Sequence, residues 1–380
     1  MIPERHLQDI SMYVHVPFCR RRCNYCDFFS TTYDGDAADK YVEAVSREIS
    51  FRSGGRRFET IYIGGGTPSC LSTRQLGALL LAIRNSAQLT WDCEFTMEVN
   101  PESVDSERLS VAKEFGVNRI SMGVQTFDPD LLSLLGRVHT AEEAGRAVRL
   151  TRDAGFGNLN LDLIFGIPGE TAKQWENDLS LAAAAAPEHI STYCLSIERG
   201  TGISQMVLEG SINPLPEDKL REMMETAMER LSREGYAQYE ISNYAKAGMR
   251  CRHNIKCWRN EEYVGVGPSA VTFIDGTRGQ NVRNLRRYVS ISDWRTAPHE
   301  YEERLDAESR ARETLFLGLR MRDGVDLANF ESKTGYDALG LCGEEIERFC
   351  DLGLMELAEG RVRLTDRGVY VADAIFSEIV

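Results

Sequence analysis

The alternation of short β-rich runs with helical segments constrains the fold of this sequence more than any other feature. Six such runs begin at residues 12, 60, 94, 119, 158 and 189, and segments with helical periodicity lie between them. This order predicts a parallel sheet covered by helices. Six units are fewer than the eight of a closed barrel, and a doubly wound sheet fits the pattern equally well. We expect an α/β fold built as a partial (β/α)6 TIM-like barrel.

Several of the runs end in glycine, proline or polar residues, as in GGGTPS, EVNP, GVQTF and FGIPGE. Active sites of barrel proteins lie at such strand ends. Glu98, Gln125 and Asp162 stand at these ends, and Gly65 and Gly66 allow a ligand to approach the backbone closely. We predict that these residues converge on one rim, although each also fits a plain strand-end cap or a tight turn.

Two further units are predicted after the barrel core, which we assign to residues 1–212. Residues 213–305 contain one strong helix and a loop-rich run, and they are predicted to extend the barrel. Residues 306–380 combine helices with a strand pair that turns at Glu359-Gly360, which predicts a winged-helix-like α+β domain. This last unit carries 16 acidic and 9 basic residues, a net charge of −7, so we expect it to support the barrel instead of binding DNA.

The composition excludes several classes of partner. A formal charge of −14 opposes non-specific binding to nucleic acid or anionic membrane, since both require a basic surface. The sequence shows no long apolar stretch and no secretion signal, which predicts a cytoplasmic protein without a transmembrane segment. Ten cysteines are too few for a disulfide scaffold in a chain of 380 residues, so clustered cysteines indicate metal binding.

Cys19, Cys23 and Cys26 form one such cluster, in a loop after the first predicted strand. Three thiolates at this spacing reach a single iron-sulfur cluster and leave one of four irons without a protein ligand. An open metal position is typical of a reactive site. The alternative is a zinc site completed by His15 or Asp27.

With this spacing, and with Tyr25 just before the last cysteine, the chain resembles the radical S-adenosylmethionine (SAM) superfamily. The resemblance implies a [4Fe-4S] cluster whose free iron binds the amino and carboxylate groups of SAM. It also implies that one electron, from a reductant such as flavodoxin or ferredoxin, cleaves SAM to a 5′-deoxyadenosyl radical.

The motifs YVHVPFC, GVNRISMGVQTF, LGRVH and NLDLIFGIPGE extend the resemblance to the coproporphyrinogen-oxidase-like branch of the superfamily. That branch contains oxygen-independent dehydrogenases and haem chaperones. The dehydrogenases have a fourth cysteine where this chain has Phe28, and a long segment before the cluster, whereas 18 residues precede Cys19 here. The chaperones have a His-Asn-x-x-Tyr-Trp motif, which appears here as HNIKCW, with Cys257 in the place of the tyrosine.

The resemblance therefore implies a haem chaperone that binds haem or a related tetrapyrrole and delivers it to acceptor proteins. Alternatives are a radical enzyme acting on a porphyrinogen, a radical methyltransferase and a DNA-binding redox sensor. A homodimer is also expected.

The resemblance also implies roles for single residues. His253 or Cys257 would ligate haem iron, although His253 also fits a plain turn cap. The residues expected to contact SAM are Gly65, Gly66 and Thr67 at its methionine end, Glu98, Gln125 and Asp162 at its ribose and amino groups, Arg137 at a carboxylate, and Tyr13 and Tyr25 beside it.

Overall fold

The structure is a computed structural model, and it describes residues 9–379. Residues 1–8 of the predicted core and residue 380 of the predicted last unit lie outside the described residues. None of the helices within residues 9–379 is both long and apolar enough to cross a membrane.

The first half of the chain alternates strands with helices, as the sequence predicts. Its strands are β1 (Ile10–Val16), β2 (Phe18–Cys19), β3 (Thr31–Thr32), β4 (Arg57–Gly65), β5 (Gln88–Val99), β6 (Arg119–Gln125), β7 (Leu159–Phe165) and β8 (His189–Cys194). Its helices are α1 (Gly35–Ser53), α2 (Thr73–Ser86), α3 (Ser106–Glu114), α4 (Pro129–Leu135), α5 (Ala141–Asp153) and α6 (Ala172–Ala184), followed by α7 (Gly202–Leu208).

Strands β1, β4, β5, β6, β7 and β8 pair in that order, and all of these pairs are parallel. The barrel is open, because β1 and β8 do not pair with each other and each continues into further strands on its other side. The predicted partial (β/α)6 barrel is therefore confirmed.

The barrel strands alternate between a polar and an apolar face. The outer face packs under the helices and includes Met12, Ile61, Met97, Met122 and Leu161, all fully buried in the main core. The opposite face points into the barrel, where side chains of neighbouring strands form hydrogen bonds with each other. These inward residues include Ser11, Tyr13, Thr60, Tyr62, Glu94, Glu98, Arg119, Ser121, Asn160, Asp162, His189 and Ser191.

Residues after the barrel core add strands to both edges of the sheet. At one edge, β10 (Asn243–Ala245) pairs antiparallel with β8 and with β9 (Ala237–Glu240). At the other edge, β11 (Tyr263–Val266) pairs parallel to β1 and is followed by β12 (Val271–Ile274), β13 (Thr277–Asn281) and β14 (His299–Arg304). The helices of this region are α8 (Glu217–Arg233), α9 (Arg252–Trp258) and α10 (Leu285–Val289).

The last unit has its own core and a three-stranded antiparallel sheet in the order β15-β17-β16. It consists of α11 (Ala307–Leu319), β15 (Val325–Asp326), α12 (Leu327–Thr334), α13 (Ala338–Asp351), β16 (Met355–Ala358), β17 (Arg361–Leu364), α14 (Asp366–Val369) and α15 (Ala372–Ile379). The predicted turn between β16 and β17 is confirmed, with φ of 53° at Glu359 and 71° at Gly360. Positive φ at both central residues is what a tight hairpin turn requires.

Candidate functional site

The three clustered cysteines lie in the loop that follows β1. Cys19 ends β2, which pairs with β3, so the loop between them is closed at its base. The amide of Tyr33 donates to the carbonyl of Cys19 at 2.9 Å, and the amide of Thr31 donates to that of Pro17 at 2.7 Å. This short ladder holds the cysteine loop over the open end of the barrel.

A cavity of about 500 Å³ lies beneath this loop, at the carboxyl ends of the barrel strands. We call it the first cavity. It brings together all but one of the residues predicted to hold the cluster or SAM, and the exception is Tyr13. The predicted residues on its wall are Cys19, Cys23, Tyr25, Cys26, Gly65, Gly66, Thr67, Glu98, Gln125, Arg137 and Asp162.

The environment of the three thiols fits a metal cluster. All three are free and partly exposed. The Thr67 hydroxyl donates to Cys19 Sγ at 3.6 Å, and Arg137 Nη1 donates to Cys23 Sγ at 3.7 Å. Burial raises the pKa of Cys26 to about 11, so a thiolate at Cys26 needs a positive charge beside it. An iron-sulfur cluster supplies that positive charge, and the donors to sulfur are of the kind that tunes such clusters.

A zinc site completed by His15 does not agree with this geometry. His15 Nε2 donates to the carbonyl of Phe29 at 2.7 Å, and its Nδ1 lies 3.2 Å from the Tyr13 hydroxyl. Both ring nitrogens are therefore engaged. Within residues 9–379, no group of three or more His, Cys, Asp or Glu side chains is arranged to hold a single metal ion.

Three glycines at the end of β4, Gly64 to Gly66, lie where a larger residue would clash with its neighbours. A Cβ on Gly64 would lie 2.8 Å from the Glu98 carboxylate, and one on Gly66 would lie 2.6 Å from the carbonyl oxygen of Phe18. Gly65 has a φ of +106°, and a Cβ there would lie 2.5 Å from the His15 ring. The three glycines thus allow β4 to pack between the cysteine loop and β5 while keeping the backbone open to the first cavity.

Two carboxylic acids face the first cavity from inside the barrel. Tyr62 donates to Glu98 Oε1 at 2.8 Å, and the amide of Gly65 donates to Oε2 at 3.1 Å. Asp162 accepts from Asn160 at 2.8 Å and from Ser121 at 3.0 Å. Burial, reinforced by the nearby Asp162, raises the pKa of Glu98 to about 7. A positively charged group bound in the cavity would favour the ionised form of Glu98.

Gln125 ends β6, the strand between those that carry Glu98 and Asp162, and Arg137 follows α4. Gln125 has a φ of 69°, a left-handed backbone conformation that is strained for a residue other than glycine. The Arg137 side chain is almost fully buried, and its Nη2 donates to the carbonyl of Gly123 at 2.7 Å and lies 3.8 Å from Glu102. Its Nε has no hydrogen-bond partner among the described residues. A buried guanidinium with a free donor suits an anionic ligand group.

Several residues of the first cavity were not predicted from the sequence, among them Tyr62, Asn100, Ser121 and Tyr193. Asn100 donates to the Thr67 hydroxyl at 2.9 Å, which orients that hydroxyl toward Cys19. The two-residue period of a strand could have predicted such residues. Asn100, for example, follows Glu98 by two positions and therefore lies on the same face.

A second cavity, of about 380 Å³, lies beside β1 and β11. It contains both residues of the predicted haem motif, His253 and Cys257, one helical turn apart on α9. Tyr13 also lines this cavity, and its ring stacks on that of Tyr62, which lines the first cavity. Other lining residues are His15, Asp27, Phe28, Phe29, Tyr263 and Arg283, of which Asp27 and Phe28 also line the first cavity.

Helix α9 is held against the open barrel by its first residues. The amides of Arg252 and His253 donate to the Glu94 carboxylate at 2.9 and 3.0 Å. A carboxylate at a helix N-terminus satisfies amides that have no partner within the helix. At the other end of α9, Trp258 packs under the Arg320 guanidinium of the last unit, 4.3 Å from its ring centre.

His253 is buried and its ring lies 5.1 Å from the ring of Tyr62, centre to centre. Its Nδ1 lies 2.9 Å from the Thr60 hydroxyl, which donates its proton to Ser11 at 2.8 Å. The hydroxyl therefore accepts from Nδ1–H, and Nε2 carries the lone pair. Burial lowers the pKa of His253 to about 3, so the ring is neutral near pH 7.

Comparisons with known proteins agree with this arrangement. Residues 13–182 match the radical SAM superfamily, and residues 305–371 match the HemN C-terminal domain. The heme chaperone HemW of Bacillus subtilis is 37% identical over 96% of this chain and 98% of its own length. The chain belongs to the HemW family of radical SAM proteins. HemW of Escherichia coli is 41% identical over 71% of this chain and 72% of its own length.

Membership of this family implies a [4Fe-4S] cluster and SAM as cofactors. Among solved structures, coproporphyrinogen III oxidase (HemN) from Escherichia coli superposes with a TM-score of 0.85 over 98% of this chain and 90% of its own. The two sequences are 23% identical, so this likeness establishes the fold alone.

Proposed function

We propose that this protein is a haem chaperone, which binds haem in the second cavity and delivers it to acceptor proteins. The observation that carries the proposal is the state of His253, a neutral imidazole whose Nε2 is free of hydrogen bonds to the described residues. A neutral imidazole held through its other nitrogen is the usual form of a histidine that ligates haem iron. HemW relatives from several bacteria carry the name heme chaperone, which agrees with this role.

The lining of the second cavity also suits a flat, mostly apolar ring with acidic substituents. Tyr13, Phe28, Phe29 and Tyr263 supply aromatic surface. Arg283 contributes the one lysine or arginine side chain on the described lining, and it is exposed at the rim. A haem bound to His253 would direct a propionate toward this guanidinium.

Cys257 is the second candidate ligand in this cavity. Burial raises its pKa to about 12, which favours the thiol over the thiolate that iron prefers. We therefore assign the ligand role to His253 and leave Cys257 as part of the wall.

In the first cavity, we propose that Cys19, Cys23 and Cys26 hold the [4Fe-4S] cluster. Bound there, a cluster reduced by a carrier such as flavodoxin or ferredoxin would provide the electron for cleavage of SAM. Arg137 would bind a carboxylate, while Glu98, Gln125 and Asp162 would hold the amino and ribose groups. Gly65, Gly66 and Thr67 would contact the methionine end.

Haem titration followed at the Soret band tests the proposal. We expect saturable haem binding to the reconstituted protein. His253→Ala should weaken this binding on the order of tenfold or more, because it removes the metal ligand itself, and loss of a ligand's hydrogen-bond partner alone costs about tenfold. Thr60→Val, which removes the acceptor for Nδ1, should weaken binding by about tenfold. Cys257→Ala is the matched control, and its affinity should stay close to that of the unchanged protein.

Equal haem affinity in the unchanged protein and in all three variants would contradict a site at His253. Loss in Cys257→Ala alone, with a shifted Soret band, would instead identify a sulfur ligand. Substrate-dependent 5′-deoxyadenosine formation with a porphyrinogen would favour the radical enzyme over the chaperone.

A further inference from the structure

The cysteine loop carries three consecutive arginines, Arg20, Arg21 and Arg22, between its first two cysteines. No other run of three basic residues occurs in the sequence, and the chain as a whole has a net charge of −14. The most concentrated positive charge in an acidic protein thus lies directly on the loop that is proposed to hold the cluster.

All three arginine side chains are exposed, and Arg21 and Arg22 also lie at the rim of the first cavity. Arg20 donates to the backbone carbonyl of Glu102 at 2.6 Å, and Arg22 donates to that of Cys26 at 3.2 Å. Among residues 9–379, none of the three forms an ion pair with a carboxylate, whereas the nearby buried Arg137 lies 3.8 Å from Glu102. The positive charge of the loop is therefore not neutralised within the described protein.

Fixed, uncompensated charge on a surface attracts and orients a partner of opposite sign. Arg20 is held against the loop after β5 by its bond to Glu102, and Arg22 is held within the cysteine loop by its bond to Cys26. Asp27 and Glu198 are the exposed carboxylates on the lining of the first cavity, and two negative charges do not cancel three positive ones. Because the chain as a whole is acidic, this patch would favour one orientation of an acidic partner.

We propose that Arg20, Arg21 and Arg22 form the docking surface for a small acidic electron-transfer protein that reduces the cluster. One electron passes from the reduced carrier to the oxidised cluster, so the carrier loses one electron and the cluster gains it. The arginines are bonded in sequence to two cluster ligands, so a carrier seated on them lies directly over the cluster. The inference rests on the proposed cluster at Cys19, Cys23 and Cys26, and it does not depend on haem binding.

The test measures the rate of cluster reduction in the anaerobically reconstituted full-length protein. The donors are photoreduced flavodoxin, which is acidic, and reduced methyl viologen, a small cation. The variant R20Q/R21Q/R22Q should be reduced by flavodoxin on the order of tenfold more slowly at low salt, because it loses electrostatic steering. Added salt should slow the unchanged protein and have much less effect on the variant.

The control variant R47Q/R286Q/R287Q makes the same change in charge at exposed arginines on α1 and α10. It should be reduced by flavodoxin at the rate of the unchanged protein. Methyl viologen, which the arginines repel, should reduce R20Q/R21Q/R22Q at least as fast as it reduces the other two proteins. An unchanged flavodoxin rate in R20Q/R21Q/R22Q would overturn the proposal. An equal loss with both donors would also overturn it, because it would indicate an altered cluster and not an altered docking surface.

Iron and sulfide content distinguishes these outcomes from a failure of the cluster assignment itself. If the unchanged protein held no cluster, the proposed function would fail before docking was tested. If R20Q/R21Q/R22Q alone assembled poorly, R21E replaces it, because the Arg21 side chain has no hydrogen bond to the described residues, and the same rate loss is expected.

Discussion

The two cavities of this protein share Asp27 and Phe28 on their walls but are built in different ways. The first cavity lies across the ends of several parallel strands, and its polar residues come from the repeated β/α units. The second cavity lies between the barrel strand β1 and two elements that follow it by more than 230 residues, α9 and the edge strand β11. A repeated architecture thus forms the cofactor site, and a single long-range contact forms the proposed haem site.

Tyr62 marks the boundary between the two. Its hydroxyl bonds Glu98 in the first cavity, and its ring lies against His253 and Tyr13 on the side of the second. Tyr62 lines the first cavity directly and reaches the second only through its ring contacts with His253 and Tyr13, which line it.

The largest expected effect tests whether the two cavities are independent. Cys23→Ser removes a proposed cluster ligand, so iron and sulfide content should fall nearly to zero. Haem affinity should fall far less than the cluster content, because the second cavity contains none of the three cysteines and shares only Asp27 and Phe28 with the first. The matched control is Cys350→Ser, in the last unit, which should keep the cluster. Loss of haem binding together with the cluster would show that the cavities are one site.

The second prediction concerns the pH dependence of SAM binding. The pKa of Glu98 is raised to about 7, so the carboxyl takes up a proton as the pH falls through that value. Protonation removes the negative charge opposite the positive groups of SAM, so affinity should fall by about tenfold from pH 8 to pH 6. Equilibrium binding of SAM at several pH values measures this.

Glu98→Gln should bind SAM weakly and without this pH dependence. Haem binding should be almost constant between pH 8 and pH 5, because His253, with a pKa near 3, stays neutral throughout. A Soret titration that followed an ordinary histidine near pH 6.5 would contradict the buried geometry of His253.

Substitutions at Tyr62 distinguish the role of its hydroxyl, which bonds Glu98, from that of its ring, which lies beside His253. Tyr62→Phe removes the hydrogen bond to Glu98 and keeps the ring beside His253, so SAM affinity should fall by about fivefold, the equivalent of one hydrogen bond. Haem affinity should not change. Tyr62→Ala removes the ring as well, and it should weaken both ligands. If Tyr62→Phe altered haem binding and SAM binding equally, the Tyr62 hydroxyl would be coupling the two sites.

The smallest effect is expected at the rim of the second cavity. Arg283→Gln removes one exposed positive charge, so haem affinity should fall by about threefold, as for an exposed ion pair. The difference should decrease at high salt. Arg286→Gln, three residues further along, is the control and should bind haem normally. An Arg283→Gln variant with unchanged affinity would show that the propionates lie elsewhere.

Much of the first cavity could be predicted from the sequence, because strand ends of a β/α repeat meet at one edge whatever the details of packing. The cysteine spacing, the glycines after β4, and Glu98, Gln125 and Asp162 were all identified in this way, and they line one cavity. Residues two positions along the same strands, such as Asn100, were missed although the strand period points to them. The roles of these residues remain predictions.

What the tertiary structure alone decided is the position of Tyr13 and the existence of the second cavity. The sequence marks β1 as a strand but does not reveal that β11 pairs beside it, which brings Tyr13 next to Tyr263 and α9. It also does not reveal that the Thr60 hydroxyl fixes the His253 tautomer. Local sequence specifies periodicity and turns, whereas contacts between distant segments depend on the packing of the whole chain.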